Sequence, residues 1–259
     1  MSRPAAKKEL GQHFLVDENL LGVVGRLAEL GPEDVVLEIG PGLGVLTGYL
    51  AERASHVHAV ELDRSLAPRL RDALRSHENV ELHLGDALQL DLAALEPAPT
   101  KLVSNLPYNI ATPLVVESVD GLPTVELWCV MVQREVADRF FALPGTKAYG
   151  AVSVLAQLAA ERSGFHAVSR EVFRPRPNVD SALVAFRRRE LPDDYPRVKA
   201  IVTAAFSHRR KRLANSLELA GAADRRTAVE ALETIGRAPS TRAEELAPPE
   251  FVALARALG

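Results

Sequence analysis

The chain has 259 residues, of which 47% are hydrophobic and 25% charged, a composition typical of one large α/β domain or of a medium domain with a small one. No stretch approaches the roughly 20 apolar residues that span a bilayer, and the N-terminal segment lacks the apolar centre of a signal peptide. We therefore expect a cytoplasmic protein without a membrane partner. The single cysteine, Cys129, excludes an intramolecular disulfide, and the net charge of −3 argues by itself against a nucleic-acid partner.

The first two thirds of the chain alternate between strand and helix patterns. Short apolar runs predict strands at residues 35–39, 56–61, 80–84, 101–105 and 127–132. Helical patterns follow several of them, at residues 44–53, 66–74 and 134–141. Strands separated by helices favour a doubly wound, mostly parallel sheet. Residues 168–173 and 182–188 are expected to close this sheet as an antiparallel pair.

The character of the sequence changes after Glu190. Pro192, Tyr195 and Pro196 predict a linker, and helical patterns then dominate. The predicted helices cover residues 198–206, 211–219, 225–235 and 249–258, and a short capped helix is expected to begin near residues 240–244. We therefore predict an α/β domain over residues 1–190 and a small all-helical domain over residues 191–259.

A glycine-rich turn follows the first predicted strand, in Glu38-Ile39-Gly40-Pro41-Gly42-Leu43-Gly44. Glycines between a strand and a helix let a ligand approach the backbone closely. The turn lacks the Gly-Lys-Ser/Thr of a P-loop and the usual Gly-x-Gly-x-x-Gly spacing of dinucleotide sites. Taken alone, it fits a ligand site and a tight packing turn equally well.

Acidic residues stand at the ends of the next two strands. Glu61 lies about twenty residues past the glycines, where a carboxylate can accept hydrogen bonds from both hydroxyls of a ribose. Asp86 can accept from the exocyclic amine of an adenine ring. Because the carboxyl ends of parallel strands share one edge of the sheet, these features together predict a nucleoside pocket. The glycine pattern favours S-adenosylmethionine over NAD as its ligand.

The most specific segment is Ser104-Asn105-Leu106-Pro107-Tyr108-Asn109, at the end of the fourth strand. The order Asn-Leu-Pro-Tyr at this place is typical of methyltransferases that act on exocyclic amines. An adenine amine is a poor nucleophile because its lone pair is delocalised into the ring. The Asn105 side-chain carbonyl and the backbone carbonyl of Leu106 or Pro107 can accept its two N–H groups, while Tyr108 stacks on the base.

Methyl transfer to such an amine is a direct displacement, which needs positioning and electrostatics rather than a strong base. The sequence agrees with this requirement, since it shows neither a Ser/His/Asp nor a Cys/His arrangement. The seven histidines also lack the sequence spacing of metal ligands, so no metal site is expected. Trp128, Cys129 and Met131 are interpreted as core residues of the fifth strand.

Positive charge is concentrated in one part of the chain. Between Arg187 and Arg226 there are eleven Lys/Arg and five Asp/Glu, an excess of +6, so the remainder carries −9. A run of four cations precedes a predicted helix; by itself it fits a solvated helix end, but beside a base-modifying site it predicts phosphate contacts. The four are Arg209, Arg210, Lys211 and Arg212, and Arg3, Lys7 and Lys8 are expected to add to them from an N-terminal arm.

These motifs and others resemble the ribosomal RNA adenine dimethyltransferase family over nearly the whole chain. The matching segments run in order from near the N-terminus to the Arg242-Ala243-Glu244 region. They are Gly11-Gln12-His13-Phe14-Leu15, Glu38-Ile39-Gly40-Pro41-Gly42, Glu61-Leu62-Asp63, Gly85-Asp86-Ala87, Asn105-Leu106-Pro107-Tyr108-Asn109, Gln133-Arg134-Glu135-Val136-Ala137, Lys147-Ala148-Tyr149-Gly150, Phe173-Arg174-Pro175-Arg176-Pro177, Val179-Asp180-Ser181-Ala182 and Phe206-Ser207-His208-Arg209-Arg210-Lys211.

The resemblance implies a Rossmann-like class I methyltransferase fold with a small helical C-terminal domain that binds RNA, and S-adenosylmethionine as methyl donor. Residues 110–113 and 147–150 are more similar to the bacterial small-subunit branch, which dimethylates two adjacent adenosines in a hairpin near the 3′ end of that RNA. Within the family, the alternative is the antibiotic-resistance branch that acts on large-subunit RNA.

The resemblance also implies roles for single residues. His13, Leu15, Gly40, Glu61, Asp86 and Asn105 are expected to contact the cofactor, and Phe173 is expected to sandwich the target base against Tyr108. The chain departs from the family at His13, where Asn is usual, and at Arg174 and Arg176, which interrupt a run of prolines. Both departures bear on the geometry around the base more than on the reaction.

Two further hypotheses come from other classes of protein. A small-molecule or protein amine methyltransferase would not need the cations at residues 209–212. A non-enzymatic assembly or transcription factor would not need the Asn-Leu-Pro-Tyr loop, which is intact. We therefore expect an enzyme that acts as a monomer on small-subunit ribosomal RNA or on an assembling small subunit, with a role in its biogenesis.

Overall fold

The computed structural model of the protein describes residues 12–15 and 17–259. Arg3, Lys7 and Lys8 of the expected basic arm, and Gly11 of the first motif, lie outside these residues. No helix within the described ranges is long and apolar enough to cross a membrane.

The chain divides into two compact units. The first comprises Met1–Ala137 and Arg162–Arg188, and the second comprises Asp138–Glu161 and Arg189–Gly259. The predicted boundary at residue 190 lies next to the last junction, but residues 138–161 do not belong to the first unit as predicted. They group with the helices of the second because the Tyr149 hydroxyl donates to the Leu246 carbonyl at 2.7 Å, and because the helix over residues 151–159 packs on C-terminal helices.

A seven-stranded sheet forms the centre of the first unit, with the strand order β4-β3-β2-β5-β6-β9-β7. Strands β2 to β6 pair in parallel, and β9 pairs antiparallel with β6. Strands β1 and β8 form a separate two-stranded ladder. The bounds are β1 Phe14–Leu15, β2 Val35–Ile39, β3 His56–Glu61, β4 Val80–Leu84, β5 Lys101–Asn105, β6 Leu127–Gln133, β7 Ala160–Val168, β8 Phe173–Arg174 and β9 Ser181–Arg188. The predicted doubly wound, mostly parallel sheet is confirmed.

The parallel strands form where the sequence carries unbroken apolar runs, because both faces of such a sheet are covered by helices. All five residues of β2 are buried, as are the first six of β6. Trp128, Cys129 and Met131 are 0–1% exposed and belong to the core, as predicted. Burial also raises the pKa of the Cys129 thiol, which leaves it a small apolar side chain of the core.

The helices of the first unit alternate with its strands along the chain. They are α1 Glu18–Leu27, α2 Val45–Ala51, α3 Ala67–Ala73, α4 Ala111–Gly121 and, at the junction of the two units, α5 Arg134–Phe140. The Asp17 carboxylate caps α1 by accepting from the Asn19 backbone N–H at 2.8 Å. Leu20 and Val24 of α1 and Leu50 of α2 then pack with Val36 of β2 in one apolar cluster.

The second unit is helical. Its helices are α6 Ala151–Ala159, α7 Tyr195–Ser207, α8 Leu213–Leu219, α9 Arg225–Thr234 and α10 Pro248–Ala257. The Phe206 ring lies between Tyr149, at 6.0 Å between centroids, and Phe251, at 5.8 Å. Asp224 caps α9 by accepting from the Thr227 N–H. The expected linker is shorter than predicted, because Tyr195 and Pro196 already begin α7, where proline fits the first helical turn.

One predicted strand is wrong. Residues 168–173 hold the last residue of β7, a short 3-10 helix at Arg170–Val172 and the first residue of β8. The strand that closes the sheet beside β9 is instead β7, which the sequence analysis did not predict. In β7 only the two end residues are buried, and those between them are exposed or half-buried. The strand therefore lacks the alternation of apolar and polar residues by which a strand is predicted.

Candidate active site

The glycine turn after β2 brings two loops together. Gly40 and Gly42 have φ values of +75° and +59°, which side chains rarely adopt. A Cβ on Gly40 would lie 3.1 Å from the Pro107 side chain, and one on Gly42 would lie 3.0 Å from the Phe14 ring. Glycine is therefore needed here for the backbone conformation and for the close approach of the Asn105–Tyr108 loop.

A cavity lies at the carboxyl ends of the parallel strands. The six residues expected to contact the cofactor all line it, and so do Leu106, Pro107 and Tyr108 of the loop expected to be catalytic. Those six are His13, Leu15, Gly40, Glu61, Asp86 and Asn105. The structure thus brings together residues from five separate segments of the sequence.

Glu61, the last residue of β3, points its carboxylate back towards the glycine turn. It accepts from the Gly42 N–H at 3.1 Å and from the Asp63 N–H at 2.8 Å. The side chain of Asp63 in turn accepts from the Gln12 amide at 3.1 Å, which ties the N-terminal segment to this edge of the sheet. Burial raises the pKa of Glu61, and these backbone N–H groups partly oppose the rise.

Glu38 lines the cavity, although no functional role was predicted for it. In the sequence it is the first residue of the glycine-turn motif. It stands in the otherwise apolar strand β2 and is 1% exposed. Burial raises its pKa to about 8; the Thr47 hydroxyl opposes the rise and the nearby Glu61 adds to it. A carboxyl group inside a run of buried apolar residues is the signal that could have identified it.

The Asn105–Tyr108 loop is held by hydrogen bonds that decide which of its atoms remain acceptors for a ligand. The Asn105 amide Nδ2 donates to the His13 carbonyl at 3.1 Å, so the Oδ1 atom is the one directed to other partners. The Pro107 carbonyl accepts from the N–H groups of Ile110 and Ala111, both at 3.1 Å. Since these two bonds use both lone pairs, the Leu106 carbonyl is the better second acceptor.

Tyr108 is fixed at both ends of its side chain. Its hydroxyl lies 2.6 Å from the Ser181 Oγ, and its ring centroid lies 5.3 Å from that of His13. The His13 Nδ1 is 2.8 Å from the Pro175 carbonyl, which can only accept, so Nδ1 carries a proton. Burial raises the pKa of Tyr108, and the bond to Ser181 partly offsets that rise.

Phe173 does not lie where the resemblance implies. Its ring is 0% exposed, it packs in the apolar cluster beside Leu15 and Met131, and it is absent from the cavity wall. The ladder of β1 and β8, which pairs Phe173 with Leu15, turns the side chain into this core. In this conformation the ring that faces Tyr108 is therefore that of His13.

The cations predicted to bind phosphates lie in the second unit, between α7 and α8. Arg209, Arg210, Lys211 and Arg212 are all exposed and directly precede α8, as expected. Arg209 differs from the others because it pairs with the Glu244 carboxylate at 3.2 Å and donates to the Lys147 carbonyl at 2.9 Å. Part of its charge is therefore offset within the protein.

Comparison with known proteins identifies the family. A family model described as "Ribosomal RNA adenine dimethylase" matches residues 3–256. The chain is 52% identical over 254 residues to "Ribosomal RNA small subunit methyltransferase A" of Rubrobacter xylanophilus, covering 98% of this chain and 95% of the relative.

Two solved structures are similar over nearly their full length. A dimethyladenosine transferase from Plasmodium falciparum superposes with a TM-score of 0.78 at 23% identity, covering 93% of this chain and 96% of that one, and shows the fold. The 23S rRNA methyltransferase ErmE superposes with a TM-score of 0.67 at 31% identity, covering 95% of this chain and 99% of that one. The chain thus belongs to the ribosomal RNA adenine dimethylase family, in its bacterial small-subunit branch, and is an S-adenosylmethionine-dependent methyltransferase.

Proposed function

We propose that the protein transfers methyl groups from S-adenosylmethionine to the N6 amines of two adjacent adenosines in a hairpin near the 3′ end of small-subunit ribosomal RNA. The product would be N6,N6-dimethyladenosine, formed in the cytoplasm during biogenesis of the small subunit. The observation that carries this proposal is the Asn105–Tyr108 loop, whose acceptors and aromatic ring line the same cavity as Glu61 and Asp86.

The cavity fits the cofactor through three groups of its wall. The glycine turn, whose positive φ values and close packing disfavour any side chain, admits the ligand close to the backbone. The Glu61 carboxylate would accept from the ribose hydroxyls, and the Asp86 carboxylate from the adenine amine. When bound, S-adenosylmethionine supplies an electrophilic methyl group on a positively charged sulfur.

The chain's own residues would prepare the target amine. Asn105 Oδ1 and the Leu106 carbonyl would each accept one N–H, which concentrates the nitrogen lone pair on the side that faces the donor. Tyr108 would hold the base by stacking, with its ring fixed through Ser181. Displacement from the sulfonium would give a cationic methylated amine, which is far more acidic than the starting amine and loses its proton to water, so neither a strong base nor a metal is required at the reacting atoms.

RNA affinity would come from the exposed cations of the second unit. Arg210, Lys211 and Arg212 would bind phosphates, with a smaller contribution from Arg209 because Glu244 already pairs with it. Such interactions fix the register of the RNA without reading its sequence. We propose that the enzyme acts as a monomer on free RNA or on an assembling small subunit.

A second candidate is methylation of large-subunit RNA. The 31% identity to ErmE over 95% of this chain favours it, whereas the 52% identity to the small-subunit relative favours our proposal. The experiment incubates the protein with radiolabelled S-adenosylmethionine and unmethylated small or large ribosomal subunits, and identifies the labelled nucleosides after digestion. We expect N6,N6-dimethyladenosine from the small subunit. Label confined to the large subunit would establish the second candidate, and no label in either would overturn both.

A further inference from the structure

Three histidines and a glutamate form a cluster on β3 and β4, the two strands at one edge of the sheet, and none of the four lines the cavity. His56 and His58 alternate along β3 and therefore share one face of the sheet. Glu81 of the edge strand β4 pairs with His58 in the parallel register, and His83 stands two residues further along the same strand. All four side chains thus project from the same face.

Ligand atoms of His56, His58 and Glu81 all lie within 4.8 Å of one another. His58 Nδ1 lies 3.1 Å from His83 Nε2. The Glu81 carboxylate lies 3.7 Å from His58 Nδ1, 3.8 Å from His56 Nε2 and 3.8 Å from His83 Nε2. A tetrahedral ion with bonds of about 2.0–2.1 Å to nitrogen and oxygen separates its ligand atoms by roughly 3.3–3.4 Å. The distances from Glu81 exceed this spacing by about 0.3–0.5 Å, and His83, which is outside the group of three, lies at hydrogen-bonding distance from His58.

The hydrogen bonds of the cluster leave lone pairs directed inwards. His58 Nε2 lies 2.9 Å from the Pro97 carbonyl, to which it must donate, so Nδ1 of the neutral ring carries the lone pair. A metal-binding histidine is usually oriented by such a bond from its other nitrogen. His56 Nε2 is buried and has no hydrogen-bond partner, although buried polar atoms are seldom left unpaired.

We propose that His56, His58 and Glu81 bind one Zn²⁺ ion, with His83 as the fourth ligand once its ring turns from His58 towards the ion. Three imidazoles and one carboxylate match the nitrogen and oxygen ligands of zinc, whereas Mg²⁺ and Ca²⁺ prefer oxygen alone. Four protein ligands close the coordination shell, which is typical of a structural site rather than a catalytic one. The ion would fasten the edge strand β4 to β3, and since His83 lies three residues before Asp86 it would also support the end of β4 that leads to the cavity.

The proposed site differs from the expectation that the histidines lack the spacing of metal ligands. The spacing rules for zinc motifs compare positions along the sequence, but this cluster comes from the pairing of two strands. The signal available in the sequence was His-x-His within a predicted strand, which places both rings on one face. The nearest alternative is a network without metal, in which His83 donates to His58 Nδ1.

The test uses the full-length protein without a histidine tag, treated with a chelator and dialysed. Isothermal titration with Zn²⁺ should give one ion per chain with a dissociation constant of about 1 µM or lower, and Co²⁺ should produce the intense visible absorption of tetrahedral coordination. His83→Ala and Glu81→Gln should each weaken Zn²⁺ binding by more than about 10-fold. His166→Ala, on the exposed part of β7, serves as the matched control and should bind as the parent does.

Zn²⁺ should also raise the melting temperature of the parent protein and of His166→Ala, and raise it less in the other two variants. Circular dichroism establishes that each variant is folded before titration. If His83→Ala is not folded, the conclusion depends on Glu81→Gln. A parent protein that binds no Zn²⁺ in the titration and gives no tetrahedral Co²⁺ spectrum would establish the network without metal. Unchanged affinity in a folded His83→Ala or Glu81→Gln variant would place any bound ion elsewhere and overturn the assignment.

Discussion

The Asn105 side-chain amide donates to the backbone carbonyl of His13, 3.1 Å away. This bond connects the last residue of β5 to a segment 92 positions earlier in the sequence, and it sets the orientation of the amide. With Nδ2 engaged, Oδ1 is the atom offered to a substrate amine. The N-terminal segment therefore helps to align the Asn105–Tyr108 loop as well as to line the cavity.

The first prediction concerns this acceptor. Asn105→Ala should lower the single-turnover methylation rate by about 10²–10³-fold, because one of two acceptors that polarise the amine is removed. RNA affinity should change little, since the proposed phosphate-binding cations lie in the other unit. Rapid-quench assays and filter binding measure the two quantities, with Asn178→Ala, at an exposed position, as the matched control. A large decrease of RNA affinity in Asn105→Ala would contradict the role assigned to Asn105.

The second prediction concerns the bond between Tyr108 and Ser181. Tyr108→Phe keeps the ring but leaves the Ser181 hydroxyl, in a residue that is 1% exposed, without this partner. We expect a decrease of about 1–3 kcal/mol in the free energy of unfolding, with base stacking retained. Urea denaturation of Tyr108→Phe, Ser181→Ala and the double variant forms a complete cycle. The free energy of unfolding should decrease less in the double variant than the sum of the two single decreases. Strict additivity of these decreases would show that the two hydroxyls do not interact.

Much of the fold follows from the sequence because its determinants are local. The parallel strands are unbroken apolar runs, and the glycines, Glu61, Asp86 and Asn105 stand directly at their ends. Helices α1, α4 and α6 escaped prediction; α1, for example, contains Gly22 and Gly25, which weaken a helical pattern. Phe173 and the histidine cluster depend on distant pairing. A phenylalanine is equally suited to a core and to stacking, and only the ladder of β1 with β8 decides between them.

The third prediction concerns Glu38. Its pKa of about 8 in the folded protein exceeds the ordinary carboxyl value of 4.5, so the folded state keeps a proton that the unfolded state loses between these values. The contribution of Glu38 to stability therefore falls as the pH rises from about 4.5 to 8. Relative to the parent, Glu38→Gln should gain stability across this window, by an amount on the order of a few kcal/mol.

Urea denaturation at several pH values between about 4.5 and 9 measures this difference. Glu33→Gln provides the control, because Glu33 is exposed and should give a difference that does not vary with pH in this way. A constant difference between Glu38→Gln and the parent over the whole range would show that Glu38 does not titrate as a buried carboxyl group.

The last prediction concerns the cations between α7 and α8. Replacing Arg210, Lys211 and Arg212 with alanine should weaken RNA binding, and the slope of log affinity against log salt should become shallower by about 0.7–0.9 for each phosphate that is no longer neutralised. Arg209→Ala should change the slope less, because Glu244 already offsets part of its charge. Filter binding at several salt concentrations gives both slopes. An unchanged slope in the triple variant would place the RNA-binding surface elsewhere. If Arg209→Ala gave the same slope as the triple variant, the ion pair between Arg209 and Glu244 would have to open when RNA binds.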